Sequence, residues 1–427
     1  MRGIFIVIAL CALYATAVAA TPYQDFQVNS TIDGIEYDPA VTAQQAVDGI
    51  YAVAFADQNR DAATGTVRVR LFDNAWNPMG GDFTVNTTPL TTSGPSYQYR
   101  PTIDMDASGR FVAAWVKDAT DIYARCYTVS GGLATPTGPD FLVAGGLTSS
   151  GMQADVGLQR DGSKFVVCYH DGGDVQYKVF PWGSTTASVS GIANTASDCG
   201  HGSVAVADDG SFVITYYDDF TQSPSQQSQF FQMFNDSGTT VGMLPEQEVF
   251  PGHAATSFST AAVGMNQAAG EFVITALEQN SPEDAIYYRL YNADGTAKAP
   301  AQLAHSSAQL IKPSVSMDDA GNFVLSFTER IDDHDIFTIR YDALGNALDA
   351  SPVQMNTTIV DSAQAYGGVA VQPDGDFLVV WDDASDPGDG GTTSYGYYSV
   401  WAAGVPEPAS AVILAISSLA LLQRRRR

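Results

Sequence analysis

The side chains best suited to chemistry in this sequence are carboxylates, and they recur at one place in a repeated pattern. A turn, an aromatic residue and an apolar run are followed by an acid: Asp118, Asp171, Asp218, Glu278, Glu329 and Asp382, with Asp57 in a looser first copy. More acids follow in the same loops, including Asp121, Asp174, Asp284, Asp333 and Asp386. Gathered on one rim, the six would form an acidic binding face for Ca²⁺ or a polycation. No loop carries the alternating Asp-x-Asp-x-Asp-Gly ligand set, so the affinity expected is weak, on the order of 10⁻⁴ to 10⁻³ M. The structural alternative is that these acids cap turns or pair with Arg70, Arg125, Lys178 and Arg289.

Other chemistry is thinner. The five histidines, His170, His201, His253, His305 and His334, show no metal-ligand spacing beyond Cys199-Gly-His201. Gly-x-Ser-x-Gly and Walker-type motifs are absent, so no hydrolase elbow or nucleotide loop is indicated. Paired carboxylates are plentiful enough for a glycoside hydrolase or lyase, but nothing singles out a pair. Of the cysteines beyond the N-terminal segment, Cys126, Cys168 and Cys199, an odd number allows at most one internal disulfide.

The elements that must position these acids are strands. Asp106-Ala-Ser-Gly109-Arg-Phe111-Val-Ala-Ala-Trp115 sets the pattern, and its aromatic returns at 51, 165, 212, 272, 323 and 377. Spacings of 47 to 60 residues are too long for helical solenoids and suit a blade of four strands. Each first strand carries Val or Ile, a mostly small residue, then another apolar one, as in Val156-Gly157-Leu158 and Val263-Gly264-Met265; Asp104 is the exception. Because strand period is two, the small middle residue faces away from its neighbours, toward a crowded axis. Second strands are apolar on both faces, third strands alternate, and fourth strands are short and polar. Segment Asp25-Phe26-Gln-Val28-Asn29 is similar to Asp82-Phe83-Thr-Val85-Asn86, and the seventh copy lacks such a strand after Trp401. Residues 25 to 31 are therefore expected beside 394 to 402, closing the ring from the other end of the chain.

These repeats resemble those of seven-bladed β-propellers, in particular exported bacterial proteins with an Asp-x-x-Gly-x-Phe-Val-Val-x-Trp core, from about residue 25 to 402. The resemblance implies an all-β fold of seven four-stranded blades. It does not imply an activity, since propellers host enzymes, lectins and scaffolds. The Asp-x-x-Gly turns are similar to the Asp-boxes of sialidases, but no copy matches Ser-x-Asp-x-Gly-x-Thr-Trp.

Charge and the two ends complete the reading. Against 47 Asp plus Glu stand 20 Lys plus Arg, a net of −27 over 427 residues. Such a surface repels nucleic acid and anionic membranes and keeps the protein soluble. Residues 1–20 read as a secretory signal: Arg2, an apolar run from Ile4 to Tyr14, and small residues at Ala17-Val-Ala19-Ala20. Residues 21–404 hold the repeats. Residues 405–427 begin Val405-Pro406-Glu407-Pro408, continue through an apolar segment and end in Arg424 to Arg427. This tail resembles the PEP-CTERM sorting signal, which implies an exosortase-type membrane protease and the secretion machinery as partners. Four arginines hold the end cytoplasmic. The apolar segment is shorter than the about 20 residues of a stable span, so insertion in the inner membrane is expected to be transient. The function expected is an exported surface or extracellular-matrix protein with a non-catalytic propeller that binds polysaccharide or protein. The alternative is an exported carbohydrate-active enzyme.

Overall fold

The computed structural model describes residues 25–30, 34–59, 64–87, 90–91, 99–148, 153–195, 199–218, 228–241, 246–251, 258–279, 282–331, 333–358, 364–383 and 399–406. Residues 1–24, which hold the expected signal segment, and the tail beyond Pro406 lie outside them. Among the described residues every regular element is a strand, and no helix is long and apolar enough to cross a membrane.

Seven antiparallel sheets are arranged in a ring, a seven-bladed β-propeller. The third blade shows the plan: Ala154–Leu158 innermost, then Lys164–Asp171, Asp174–Pro181 and Val189–Ile192 at the rim. Burial follows from position. All but the last two residues of Lys164–Asp171 are buried, because a central strand has a sheet on either face. Asp174–Pro181 alternates, and Val189–Ile192 is half wet. In blades two to six the aromatic of the second strand stacks on one from the third strand, as with Phe111 on Tyr127 at 4.8 Å, Phe165 on Phe180 at 5.1 Å and Phe323 on Tyr341 at 4.7 Å. Such pairs contribute about 0.5 to 1.5 kcal/mol each beyond the area they bury.

The small residues of the innermost strands sit where these strands converge. A Cβ on Gly264 would lie 3.2 Å from the Cα of Ser316 in the next blade, and one on Gly157 would lie 2.9 Å from Val206 Cγ2. Side chains cannot fit there without moving the neighbouring blade.

The ring closes as the sequence pattern predicts. Asp25–Gln27 pairs antiparallel with Ser399–Val405, with Asp25 opposite Ala403 and Gln27 opposite Trp401. Beyond the strand, Val28 N donates to Val400 O at 2.7 Å and Val400 N to Asn29 Oδ1 at 3.1 Å. The pairing is shorter than expected, and the third strand of the last blade runs on to Val405, buried opposite Phe377. The first residue of the Val-Pro-Glu-Pro motif is thus part of the propeller.

Neighbouring blades are joined by two repeated devices. An acid at the head of one fourth strand accepts from Ser or Thr of the blade before: Thr87 N to Asp140 (3.0 Å), Thr195 N to Glu246 (2.8 Å), Thr357 N to Asp25 (2.9 Å). A third-strand cation reaches back to a fourth-strand carbonyl: Arg70 to Val28, Arg125 to Val85, Lys178 to Val143, Arg289 to Val249. The recurring cations therefore satisfy buried backbone oxygens of the preceding blade.

Candidate functional site

An innermost strand has one edge facing the axis with no strand to pair it, and this chain breaks that edge at a fixed point. Pairing with the second strand slips by a residue between Tyr37 and Ala40, Gly200 and Ser203, Ser259 and Ala261, Ile311 and Ser314, and Ala365 and Gly368. Each slip lies about three residues before the Val that opens the apolar triplet. The residue at that place is Asp38, Arg100, Gln153, His201, Thr260, Lys312 or Tyr366 in blades one to seven.

Four of these have left-handed backbone: Asp38 at φ 50°, Arg100 at 39°, His201 at 50° and Lys312 at 29°. Non-glycine residues pay about 1 to 2 kcal/mol each for that conformation. Glycine would make the same bend without cost, and this chain does place it in its turns, at Gly109, Gly162 and Gly210. Pro39, Pro101 and Pro313 follow three of the bulge residues and fix the exit.

The bulges open the axis into a cup of about 570 Å³, lined by first-strand residues of all seven blades. Asp38, Arg100, Gln153, His201 and Lys312 ring its mouth, Arg330 stands on the rim, and Val41, Ile103, Val204, Val263, Val315 and Val369 form an apolar wall below. At the far ends of the first strands, side chains cross the axis. Arg160 of the third blade pairs with Asp319 of the sixth (Nη1 to Oδ2 2.7 Å) and Asp208 of the fourth (3.2 Å), and Gln267 donates to Leu158 O at 3.1 Å.

The mouth mixes both signs of charge: Arg100, Lys312 and Arg330 stand there with Asp38, and Asp104 and Asp155 line the cup as well. His201 is stacked on Tyr217 at 5.2 Å, with Nδ1 2.6 Å from Gln153 Oε1. Burial, then Arg100, His170 and Lys312, pull its pKa down to about 4, so the ring is neutral at pH 7. Burial also lowers Lys312, against the attraction of Asp38, and raises Asp38, against Lys312 and Arg100. Asp38 Oδ2 is buried without a hydrogen-bond partner.

Two further carboxylates line the cup, and both serve the fold. Asp155 accepts four hydrogen bonds, from Thr102 Oγ1 (2.8 Å) and Val156 N (2.9 Å) on one oxygen and from Ser203 Oγ and Val204 N (both 2.9 Å) on the other. Asp104 accepts from Thr42 Oγ1, Met105 N and Leu158 N, and burial raises its pKa to about 7. They stand in for the missing neighbour strand on the axial edge. No Phe, Tyr or Trp among the described residues lines the cup.

The second-strand acids lie on the same face as the bulges, one layer outward, and are held blade by blade. Asp171 accepts from Thr148 N (3.0 Å), and Glu329 from Ser307 Oγ (2.5 Å) and His305 Nε2 (3.3 Å). Asp218 and Glu278 are buried at 1% and 5% exposure. Asp118 is exposed, in a turn with φ 52°. Asp382 is buried and accepts from Asp38 N at 3.4 Å. Its register is one residue out of phase: Asp383, six residues beyond the blade aromatic, matches Asp171, Asp218, Glu278 and Glu329. Among the described residues no group of three or more His, Cys, Asp or Glu could hold a metal ion. Of the sorting motif, Val405 is buried, Pro406 is partly exposed, and Glu407 and Pro408 lie outside the described residues. Cys126, Cys168 and Cys199 are buried.

The bulge residues are the functional positions that the repeat pattern leaves unmarked. A signal for them exists, a charged residue followed by Pro three residues before the strand Val in Asp38-Pro39, Arg100-Pro101 and Lys312-Pro313.

No family model and no curated protein matches the sequence. Among solved structures, a protein of unknown function from Dyadobacter fermentans is similar over 90% of this chain and 99% of its own, at TM-score 0.50 and 11% identity. The Dos1 propeller covers 90% of this chain and 94% of its own, at TM-score 0.44 and 10% identity. An α-L-arabinanase from Penicillium chrysogenum covers 90% and 96%, at TM-score 0.43 and 12% identity. At such identities the likeness is one of fold alone.

Proposed function

We propose that the chain is an exported surface or extracellular-matrix protein whose propeller is a non-catalytic binding module, with the axial cup as its ligand site. The observation that carries the site is the row of bulges, which places charged and polar side chains at one mouth in a backbone conformation that costs stability. Strain of that kind marks positions kept for function. The volume lies within the range of small-molecule sites. A catalytic reading has less support, because Asp155 is saturated with donors and Asp104 already accepts from three others. The net charge of −27 argues against nucleic acid as partner. Export rests on the residue pattern of segment 1–20, and sorting on Val405-Pro406-Glu407-Pro408 and the apolar, arginine-ended tail. On this reading an exosortase-type protease processes the tail after transient insertion in the inner membrane.

The test is retention of extracellular polysaccharide from the producing cells by the purified chain, beside Gln153→Trp, which sets an indole across the mouth. Retention by the wild type and loss in the variant, with unchanged melting, is expected. Retention equal in both would place binding elsewhere.

A further inference from the structure

We infer that the cup recognises a small organic acid bearing hydroxyl groups, a sugar acid of uronate type, through Arg100, Lys312 and Arg330 at its mouth. The inference rests on the reading of the cup as the ligand site and names the chemistry that site selects. In a chain with 20 cations against 47 acids, three cations stand around one axial opening. They come from two blades: Arg100 from the left-handed residue before the first strand of the second, and Lys312 and Arg330 from the bulge and the second strand of the sixth. Convergence from separate repeats is not a product of the repeat itself, since the same repeat position carries Gln153, Thr260 and Tyr366 elsewhere.

Two of these cations act on groups inside the cup. Arg100 and Lys312 both act on His201 and on Asp38. An arriving carboxylate would meet two cations partly out of water, where charge-assisted hydrogen bonds are strongest. His201, neutral and fixed by Gln153, offers a polar ring edge that does not compete for the anion. Asp38 Oδ2 supplies the complement, a buried acceptor without a donor, which a ligand hydroxyl would satisfy. A bare inorganic oxyanion could use the cations but not Asp38 Oδ2. A neutral sugar could use Asp38 but not the cations. A molecule with both a carboxylate and hydroxyls uses both, and the apolar wall below accommodates the carbon face of a ring.

The test is calorimetric titration of the purified chain with glucuronate, glucose and sulfate. Glucuronate is expected to bind at least tenfold tighter than either of the others and to weaken as sodium chloride is raised. Arg100→Gln or Lys312→Met should lose at least tenfold for glucuronate and little for glucose. Arg330→Gln, on the exposed rim, should lose about threefold with unchanged melting, and it serves if the bulge variants fail to fold. Equal affinity for glucuronate and glucose, or glucuronate affinity unmoved by Arg330→Gln in a folded protein, overturns the inference. So does absence of glucuronate binding. If polysaccharide is still retained by the wild type and lost in Gln153→Trp, only the ligand class is wrong. If that retention is also independent of Gln153, the cup itself is not the site.

Discussion

The backbone amide of Asp38 in the first blade donates to Oδ2 of Asp382 in the last, 3.4 Å away. Asp38 is also a bulge residue at the mouth of the cup, so the seam of the ring and the rim of the site share one contact. Whatever holds the ring closed therefore also holds the geometry of the mouth.

Asp25 is the acid that fastens the closing strand to the sixth blade. It is 7% exposed and accepts from the amides of Thr357 and Thr358, both at 2.9 Å. Asp25→Ala strands both donors, and a loss of about 2 to 3 kcal/mol is expected. Thermal melting checks it: a clear fall supports closure by the N-terminal strand, and an unchanged midpoint contradicts it.

Glu36 lies on the first strand, 2% exposed, with Asn29 Nδ2 donating to it at 3.1 Å. Burial first, then the charge of Asp57, raise its pKa from 4.5 to about 8. Unfolding lets it ionise at the lower value, so its contribution to stability is full below about pH 4.5 and is lost as pH rises toward 8. Asp104 acts in the same sense up to about 7. Urea midpoints should fall from pH 5 to 8, and Glu36→Gln should flatten that fall. An identical slope in the variant would show that Glu36 is ionised in the folded protein.

How far the sequence could be read depended on whether a feature was set by packing or by backbone. The blade aromatics, such as Phe111 on Tyr127, repeat because each is buried between the same two strands, and any reader of periodicity finds them. The small residues Gly157 and Gly264 were legible for the same reason, since a neighbouring blade forbids a side chain. The mouth was not legible. A left-handed bend announces itself when it is glycine, and at Asp38, Arg100, His201 and Lys312 it is not. Two acids follow Trp381, and only the strand register shows that Asp383 is the one equivalent to Asp218, Glu278 and Glu329.

Calcium tests the acidic face. Asp118, Asp171, Asp218, Glu278, Glu329 and Asp382 stand on one side of the ring but in separate settings, three of them buried. Calcium and an ionic-strength-matched sodium salt should shift the melting temperature equally, by screening. A larger calcium effect, abolished by Asp118→Asn, Asp171→Asn and Glu329→Gln together, would show the face to be a cation site.

Val405 and Glu407 separate folding from sorting. Val405 is 2% exposed and paired with Phe377, so Val405→Asp should cost about 3 kcal/mol or more by burying a charge. Alanines at Pro406, Glu407 and Pro408 should leave melting unchanged and hold the unprocessed chain in the inner-membrane fraction. Mature protein of normal mass from the alanine variant would refute the sorting motif.

The central claim is that the axial cup is the ligand site, and crystals grown with glucuronate test it most directly. The account predicts density in the cup, with the carboxylate within hydrogen-bond distance of Arg100 and Lys312 and a hydroxyl on Asp38 Oδ2. Density confined to the outer rim or to clefts between blades, with the cup holding only solvent, would contradict it.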